Sequence, residues 1–228
     1  INATLTNAYL NGADLTGADL TNTDFYGAYL TNVNFINADL TGANLLNADL
    51  TGIISGNITG APTLPEGYQM VNRYIVGPNT NLINATLTNA HLNGADLTGA
   101  DLTFADLTGV ISGNITGNPT LPEGYQMVNG YIVGPNTNLI NATLTNAHLN
   151  GADLTGADLT FAKILNADLT GADLTGADLT GVISGNITGN PTLSEGYQVV
   201  NGYIVGPNTN LINTNLSNAN LNLSLIHI

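Results

Sequence analysis

Leucine or phenylalanine recurs at every fifth position over the first fifty residues, and this period is the strongest constraint on the fold. A period of five matches neither the 3.6-residue turn of an α-helix nor the two-residue alternation of a strand. It also differs from the 3.5-residue repeat of a coiled coil. A helix would spread these side chains over its whole circumference, so we expect short extended pieces separated by corners. The positions are Leu5, Leu10, Leu15, Leu20, Phe25, Leu30, Phe35, Leu40, Leu45 and Leu50.

A small residue, most often Ala, stands two positions before each of these large residues, as Ala13 stands before Leu15. Side chains two apart point to the same side of an extended segment, which predicts that both face the interior. Gly or Asn closes most units, as Gly17 does here, and both tolerate the backbone angles of tight turns. Each unit therefore is predicted to supply one straight piece, one corner and one pair of core side chains.

The unit Ala13-Asp14-Leu15-Thr16-Gly17 resembles the pentapeptide-repeat family, and ten such units follow one another at the start of the chain. The resemblance implies an all-β fold, a right-handed quadrilateral β-helix (a pentapeptide-repeat solenoid) in which four pentapeptides form one coil. It also implies a bacterial origin. Coils would stack at strand spacing, about 4.8 Å, and the stack would bury leucines that a single coil leaves in water.

Three inserts interrupt the repeat, and each separates its flanking leucines by 32 residues, as from Leu50 to Leu82, which is not a multiple of five. We expect the start of each insert to continue the coil and the later part to form a β-hairpin. The predicted repeat blocks are 1–52, 82–109, 139–181 and 211–222, and the predicted inserts are 53–81, 110–138 and 182–210.

Asn129-Gly130 lies between two β-prone runs of the second insert, and this dipeptide is the strongest short hairpin signal. The first insert has Asn72-Arg73 at the same place, which predicts a weaker turn there. The blocks between inserts contain six and nine repeat centres, a difference that is not a multiple of four. We therefore expect that the three hairpins do not all leave from one side of the coil.

The last six residues, 223–228, break the composition of the chain and resemble a translated sequencing adapter. The chain also starts at Ile1 rather than Met. Together these features predict a metagenomic fragment of a longer protein.

The composition excludes several classes of site. The chain has no Cys, so disulfides and thiolate metal sites are excluded. Lys and Arg total 2 and the net charge is −14, which argues against direct nucleic-acid binding because phosphates are neutralised by basic side chains. No apolar run approaches the roughly 18 residues of a membrane-spanning helix.

Candidate metal ligands are few. His91 and His148 occupy the outward position of a repeat, and His227 lies in the anomalous tail. Asp residues at the same outward position are expected to stack one coil apart, as Asp19 over Asp39, and to repel by about 1 kcal/mol in water. The chain lacks the glycine-rich nonapeptide typical of calcium-binding β-helices. We predict no catalytic, cofactor-binding or metal-binding residues and no cofactor.

Two further outward positions are distinctive. Tyr9 and Tyr29 are twenty residues apart and are expected to stack as an exposed aromatic pair. Lys163, the only lysine, stands where Asp is usual and is expected to relieve repulsion between Asp158 and Asp168.

The sequence favours a non-catalytic structural or protein-interaction solenoid with an unidentified protein partner. The alternative comes from the resemblance, because some pentapeptide-repeat proteins imitate duplex DNA and bind DNA gyrase or topoisomerase. The acidic charge is compatible with such a mimic. The scaffold is favoured instead, because the inserts interrupt the rod and because the Asp residues belong to the repeat consensus.

Overall fold

The computed structural model describes residues 2–218, and within this range the chain contains β-structure and turns but no helix. It divides into two compact units, Ile1–Asp106 with Ile115–Glu123 and Leu107–Asn114 with Gly124–Ile228. The predicted tail 223–228 and the end of the last predicted block lie outside the described residues. The strands are β1 Gln69–Val71, β2 Tyr74–Val76, β3 Gln126–Val128, β4 Tyr131–Val133, β5 Lys163–Leu165, β6 Asp173–Leu174, β7 Ile183–Gly185, β8 Thr192–Leu193, β9 Gln198–Val200 and β10 Tyr203–Val205.

Outward residues twenty positions apart pair in parallel, so one coil contains four pentapeptides. In the first unit Asp14 pairs with Asn34, and Asn34 pairs with Ile54. The main chain between coils is regular: Leu15 N–H donates to Asn34 O, and Asn34 N–H donates to Ala13 O. We call each set of residues paired in this way a ladder. The four ladders of a coil satisfy its backbone groups against the coils above and below.

Each corner is a tight turn whose shape explains the repeat sequence. Ala18 N–H donates to Leu15 O, which closes a turn through Thr16 and Gly17. Gly17 has a φ of 67°, in the left-handed region where a side chain is disfavoured. Asn replaces Gly at many other corners, as at Asn22 with a φ of 54°, because Asn tolerates this conformation better than other residues with side chains.

Most of the predicted core residues are buried, whereas Leu5, Leu10 and Leu15 in the first coil are only partly buried. In the first unit the core runs from Leu20 through Leu50, and Ala28, Ala38 and Ala43 are fully inaccessible beside the large side chains. In the second unit a separate core contains the leucines and alanines between Leu139 and Leu179. Burying one Leu stabilises the fold by about 1.5–3 kcal/mol, so the repeat itself supplies most of the driving force.

The inserts continue the ladders further than the sequence suggests. In the first unit Ile54, Thr59 and Thr63 pair with the preceding coil, although Thr63 follows its partner Asn44 by only nineteen residues. The corner before Thr63 has therefore lost one residue. The regular ladder then resumes at Asn81, which pairs with Ile54 across twenty-seven residues.

The additional residues of each insert form a two-stranded antiparallel ribbon. β1 pairs with β2, β3 with β4, and β9 with β10. The first ribbon turns through Asn72 and Arg73, with φ values of 48° and 67°, so the less favourable dipeptide adopts the left-handed conformation at both positions. Arg73 offsets this strain with hydrogen bonds from Nε to Ile58 O at 3.2 Å and from Nη2 to Asn57 O at 3.0 Å.

In the second unit the two ribbons start from different ladders. Ile111 precedes the β3–β4 ribbon and belongs to the ladder of Asn138 and Asp158. Ile183 precedes the β9–β10 ribbon and belongs to the neighbouring ladder of Lys163 and Asn210. These two ribbons therefore leave from adjacent sides of the coil, as the unequal block lengths predict. The block boundaries themselves stay a prediction.

Candidate functional site

The stacked aspartates are the most regular polar feature of the exterior. Asp19 pairs with Asp39, Asp153 with Asp173 and Asp158 with Asp178, as the twenty-residue spacing predicts. The ladders are chemically mixed, however. The ladder that contains Asp101 continues with Asn81 on one side and Thr120 on the other. The acidic groups therefore form short pairs between neutral residues rather than long uninterrupted rows.

Many aspartates accept hydrogen bonds from a threonine two residues further along the chain, and these bonds stabilise the charged form of the carboxylate. Asp14 Oδ1 accepts hydrogen bonds from the backbone N–H of Thr16 at 3.0 Å and from its hydroxyl. These bonds lower the pKa of Asp14 below its ordinary value of 3.8. The pKa is lowered for the same reason at Asp19, Asp39, Asp49, Asp96, Asp168, Asp173 and Asp178.

Repulsion within a stacked pair is weaker than these local bonds. The neighbouring Asp39 raises the pKa of Asp19, but the hydrogen bonds from Thr21 exceed this effect and the net shift is downward. The repulsion between stacked aspartates was expected from the sequence, but its compensation by the threonines was not. The D-x-T spacing within each repeat is the signal that could have revealed it, because Asp commonly accepts bonds from the residue two positions on.

The histidines and the lysine are isolated outward residues. His91 and His148 are exposed, and His148 pairs with Asp168 in a ladder. Within residues 2–218 no group of three or more His, Cys, Asp and Glu side chains could hold a metal ion. Lys163 lies in a ladder with Thr143 and Ile183, separate from the ladders of Asp158 and Asp168. His227 lies beyond the described part of the chain.

The base of each ribbon carries a tyrosine clasp that the sequence analysis did not predict. Tyr68, Tyr125 and Tyr197 donate their hydroxyls to carbonyls ten residues later, at Pro78, Pro135 and Pro207, over 2.9, 3.0 and 3.2 Å. Burial, with the charges of Asp49 and Asp96, raises the pKa of Tyr68 to about 12. The clasp thus remains a neutral donor throughout the physiological pH range.

Next to each clasp lies a glutamine whose amide nitrogen is buried without a hydrogen-bond partner, at Gln69, Gln126 and Gln198. Beside Gln126 is a surface cavity of about 190 Å³ that also borders Tyr125 and Asp153. In the first unit a cleft of about 250 Å³ is lined by Ile36, Ile54, Ser55, Gly56, Asn57, Tyr74, Asn81, Ile83, Asn84 and Ala85. Small clefts of this kind accommodate a side chain or water rather than a large ligand.

Exposed aromatic rings interrupt the polar exterior at a few sites. Tyr9 and Tyr29 stack with ring centroids 4.6 Å apart and planes within 1°, which confirms the predicted pair. Phe104 and Phe161 are exposed to 77% and 55%, and both occupy corners where most repeats have Gly or Asn. Their φ values of 59° and 57° are unusual for bulky residues. The sequence signal, Thr-Phe-Ala in place of Thr-Gly-Ala, was overlooked in the sequence analysis.

Within the described residues there is no helix of the length and apolarity needed to cross a membrane. The described exterior thus offers mixed polar ladders, small clefts and a few exposed aromatic side chains.

Comparison with known proteins gives a family match. The family model for pentapeptide repeats matches in 8 copies, over residues 1–35, 18–54, 79–111, 137–176 and 165–183. No curated protein matches the chain.

Several solved structures are similar. HetL, a pentapeptide repeat protein involved in heterocyst differentiation regulation in Nostoc sp. strain PCC 7120, is 26% identical, with 82% of this chain and 86% of that chain covered and a TM-score of 0.28. A pentapeptide repeat protein of the Arabidopsis thaliana thylakoid lumen is 22% identical, with 50% and 65% covered and a TM-score of 0.28. QnrB1, a plasmid-mediated fluoroquinolone resistance protein, is 16% identical over 96% and 86%, with a TM-score of 0.26.

Proposed function

Because the chain belongs to the pentapeptide-repeat family, we propose that it is a non-catalytic solenoid that presents its outward side chains to a protein partner. One observation supports this proposal above the others. Inward positions are almost uniformly Leu and Ala, whereas the outward position of the same unit changes from Asp153 to His148, Lys163 and Tyr9. Because the core and the main chain fix the coil, the outward side chains can vary without loss of the fold, and their variety supplies the chemical differences that a partner can recognise.

The proposal includes the shape of the coil. We propose a right-handed coil of quadrilateral section, interrupted by hairpin inserts. The four parallel ladders per coil support the quadrilateral section, since each pentapeptide supplies one straight piece and one corner. A rigid support of this kind keeps exposed side chains at fixed spacing, which reduces the ordering cost when they bind.

A catalytic role is the weaker reading of the same exterior. Eight aspartates, Asp14 and Asp173 among them, share one environment in which a following Thr lowers the pKa. Acid–base catalysis by paired carboxylates needs two groups whose pKa values are driven apart. The common direction of these shifts supports display rather than chemistry.

The second candidate is a DNA mimic that binds gyrase or topoisomerase, and one observation favours it. The net charge is −14, and the Thr hydrogen bonds keep many exposed aspartates ionised. Against it, neutral side chains alternate with the aspartates along a ladder, as Asn81 and Thr120 do beside Asp101. Duplex DNA carries one charge per about 1.7 Å of axis without such gaps.

Affinity capture from a bacterial lysate can test the scaffold proposal. The control is a chain whose outward His, Lys and Tyr residues are replaced by Asp or Asn, with the core unchanged. We expect a protein that is retained by the natural chain and not by this control. Equal retention by both chains would contradict recognition through the outward side chains.

A gyrase supercoiling assay distinguishes the DNA mimic from the scaffold. The scaffold proposal expects no inhibition by the natural chain. Inhibition that weakens with salt and persists in the Asp/Asn control would favour the DNA mimic.

A further inference from the structure

Phe104 occupies a corner that is built for glycine or asparagine. Apart from Phe104, Phe161 and Arg73, every non-glycine residue with positive φ in the described chain is Asn. Arg73 is held by two hydrogen bonds to main-chain carbonyls. Phe104 is 77% exposed, so its side chain gains little from packing in return for its backbone conformation. Strain without an internal compensation is a recognised mark of binding sites.

Two carboxylates lie on the sides of the coil that meet at this corner. Asp101 is in the ladder of Asn81, immediately before the corner, and Asp106 pairs with Thr86, immediately after it. Asp101 Oδ1 accepts the backbone N–H of Thr103 at 2.9 Å, and Asp106 Oδ2 accepts the hydroxyl of Thr88 at 2.8 Å. The exposed Phe104 therefore occupies the corner between two adjacent sides of the coil, and each side carries an outward aspartate that is hydrogen-bonded to a threonine.

An arginine is the side chain that best fits this combination. Its guanidinium is planar and weakly hydrated, so it stacks on an aromatic face and can donate at the same time to a carboxylate. A lysine ammonium is a compact and strongly hydrated charge that gains less from the ring. The phenylalanine side chain has no polar group, so the ring would select arginine over lysine by stacking. Asp101 and Asp106 would balance the positive charge of the bound arginine.

We propose that Phe104, Asp101 and Asp106 form a binding site for an arginine side chain of a protein partner. The proposal rests on the proposed display function and specifies its chemistry. The chain itself has a single arginine, Arg73, whose guanidinium is bonded to Asn57 O and Ile58 O, so a second copy is a poor source of the ligand. The net charge of −14 also opposes self-association and favours a basic partner.

The chain offers two internal comparisons. The segment Asp14-Leu15-Thr16-Gly17-Ala18-Asp19 has the same two carboxylates and glycine at the corner, so it is the site without its ring. Phe161 stands at an equivalent corner in the second unit, but Lys163 replaces the second aspartate. The Phe161 ring also lies against Gly181, where a Cβ would meet ring atom Cδ1. Phe161 is therefore a ring whose two flanking side chains, Asp158 and Lys163, carry no net charge, whereas Asp101 and Asp106 together carry −2.

Titration of the full chain with two peptides, hexa-arginine and hexa-lysine, tests the proposal at low salt. The two probes have equal charge, so the difference in affinity removes general attraction to an acidic protein and leaves what is specific to guanidinium, namely stacking and bidentate hydrogen bonding to carboxylates. Carbon-13 labelled phenylalanine gives four ring systems, of which those of Phe25 and Phe35 are buried. We expect about a threefold preference for hexa-arginine and shifts concentrated at the Phe104 ring.

The variant Phe104→Asn removes the ring, leaves the charge unchanged and installs the residue that this corner prefers. We expect it to unfold at a higher temperature than the natural chain and to lose the arginine preference while it retains lysine-peptide binding. Phe161→Asn should keep the preference. A preference that is absent in the natural chain, or unchanged in Phe104→Asn, would overturn the proposal, whereas failure to capture a protein from a lysate would not.

The carboxylates have a matched control. Asp101→Asn with Asp106→Asn should reduce hexa-arginine binding more than Asp14→Asn with Asp19→Asn, although the charge removed is equal. Folding should be preserved, because Asn81 in the same ladder already accepts the backbone N–H two residues on at 3.1 Å. Equal losses in both double variants would overturn the assignment of the two aspartates.

Discussion

The coils and the ribbon of the first unit both contain fully buried apolar side chains but satisfy the backbone groups of these residues differently. Leu45 lies in a coil, is fully buried, and donates its N–H to Thr63 O in the next coil. Ile75 lies in β2, is also fully buried, and donates its N–H to the hydroxyl of Ser55 at 3.0 Å. The coil repeats one main-chain bond many times, whereas the ribbon pairs only β1 with β2 and is joined to the coil by single side chains such as Ser55.

This difference teaches where the fold is tolerant and where it is not. Coils should accept changes at any outward position, because their hydrogen bonds come from the main chain. Ribbons should be sensitive at a few polar residues with specific partners, such as the Ser55 hydroxyl and the Tyr68 clasp to Pro78 O.

Leu45→Ala and Ile75→Ala should destabilise the protein equally, by about 3 kcal/mol each, because both remove a fully buried side chain from one core cluster. The free energy of unfolding in urea measures the effect. A loss below about 1 kcal/mol for Ile75→Ala, with the full loss for Leu45→Ala, would mean that the ribbon is an appendage that opens independently.

Ser112→Ala should destabilise the second ribbon by about 2 kcal/mol, because it leaves the buried N–H of Ile132 without its acceptor at 2.9 Å. Hydrogen exchange at Ile132 should accelerate while exchange in the coils is unchanged. Ser194→Ala is the control, since that hydroxyl accepts the N–H of Gly176 in an exposed position and its loss should cost less than about 0.5 kcal/mol.

Thr23→Val and Thr80→Val should have opposite signs. Thr23 is buried in a coil, and its hydroxyl has no partner, so replacement should stabilise by about 1 kcal/mol. Thr80 is buried at the end of the ribbon and donates to Gly77 O at 2.7 Å, so replacement should destabilise by about 1 kcal/mol. Thermal unfolding compares the two, and equal signs would refute the contrast.

Thr16→Val should raise the pKa of Asp14 towards its ordinary value of 3.8, because the hydroxyl of Thr16 is the largest cause of the lowered pKa. A pKa lowered by folding stabilises the folded state above the ordinary value, and this contribution is lost as pH falls through the folded pKa. The acid limb of the stability profile should therefore become slightly less steep. An NMR titration of Asp14 measures the shift directly, with Asp173 in the same chain as the unchanged reference.

Much of the architecture could be predicted because period and turn chemistry are local properties. Leucines five apart cannot share a helical face, and Asn129-Gly130 suits the turn between β3 and β4. The stacked pair of Tyr9 and Tyr29 followed directly from twenty residues per coil. These inferences needed only spacing and the conformational preferences of single residues.

The remaining features depend on contacts that spacing does not encode. The nineteen-residue step from Asn44 to Thr63 requires knowledge of which corner sheds a residue. The Tyr68 clasp joins residues ten apart through the path of the ribbon. At the candidate site, the flanking aspartates were visible as repeat residues, but the exposure of the Phe104 ring depended on its corner position.

Because the ladders are parallel, the number of pentapeptides in a repeat block determines the direction in which the next ribbon leaves the coil. With four units per coil, removal of one pentapeptide between two inserts should turn the next ribbon by about a quarter revolution and translate it by one fourth of a coil. Gene duplication or slippage in steps of fifteen nucleotides could thus re-aim a ribbon without altering a single core contact type. The orientation of a ribbon can thus evolve through changes in the number of repeats, independently of the residues that form the ribbon.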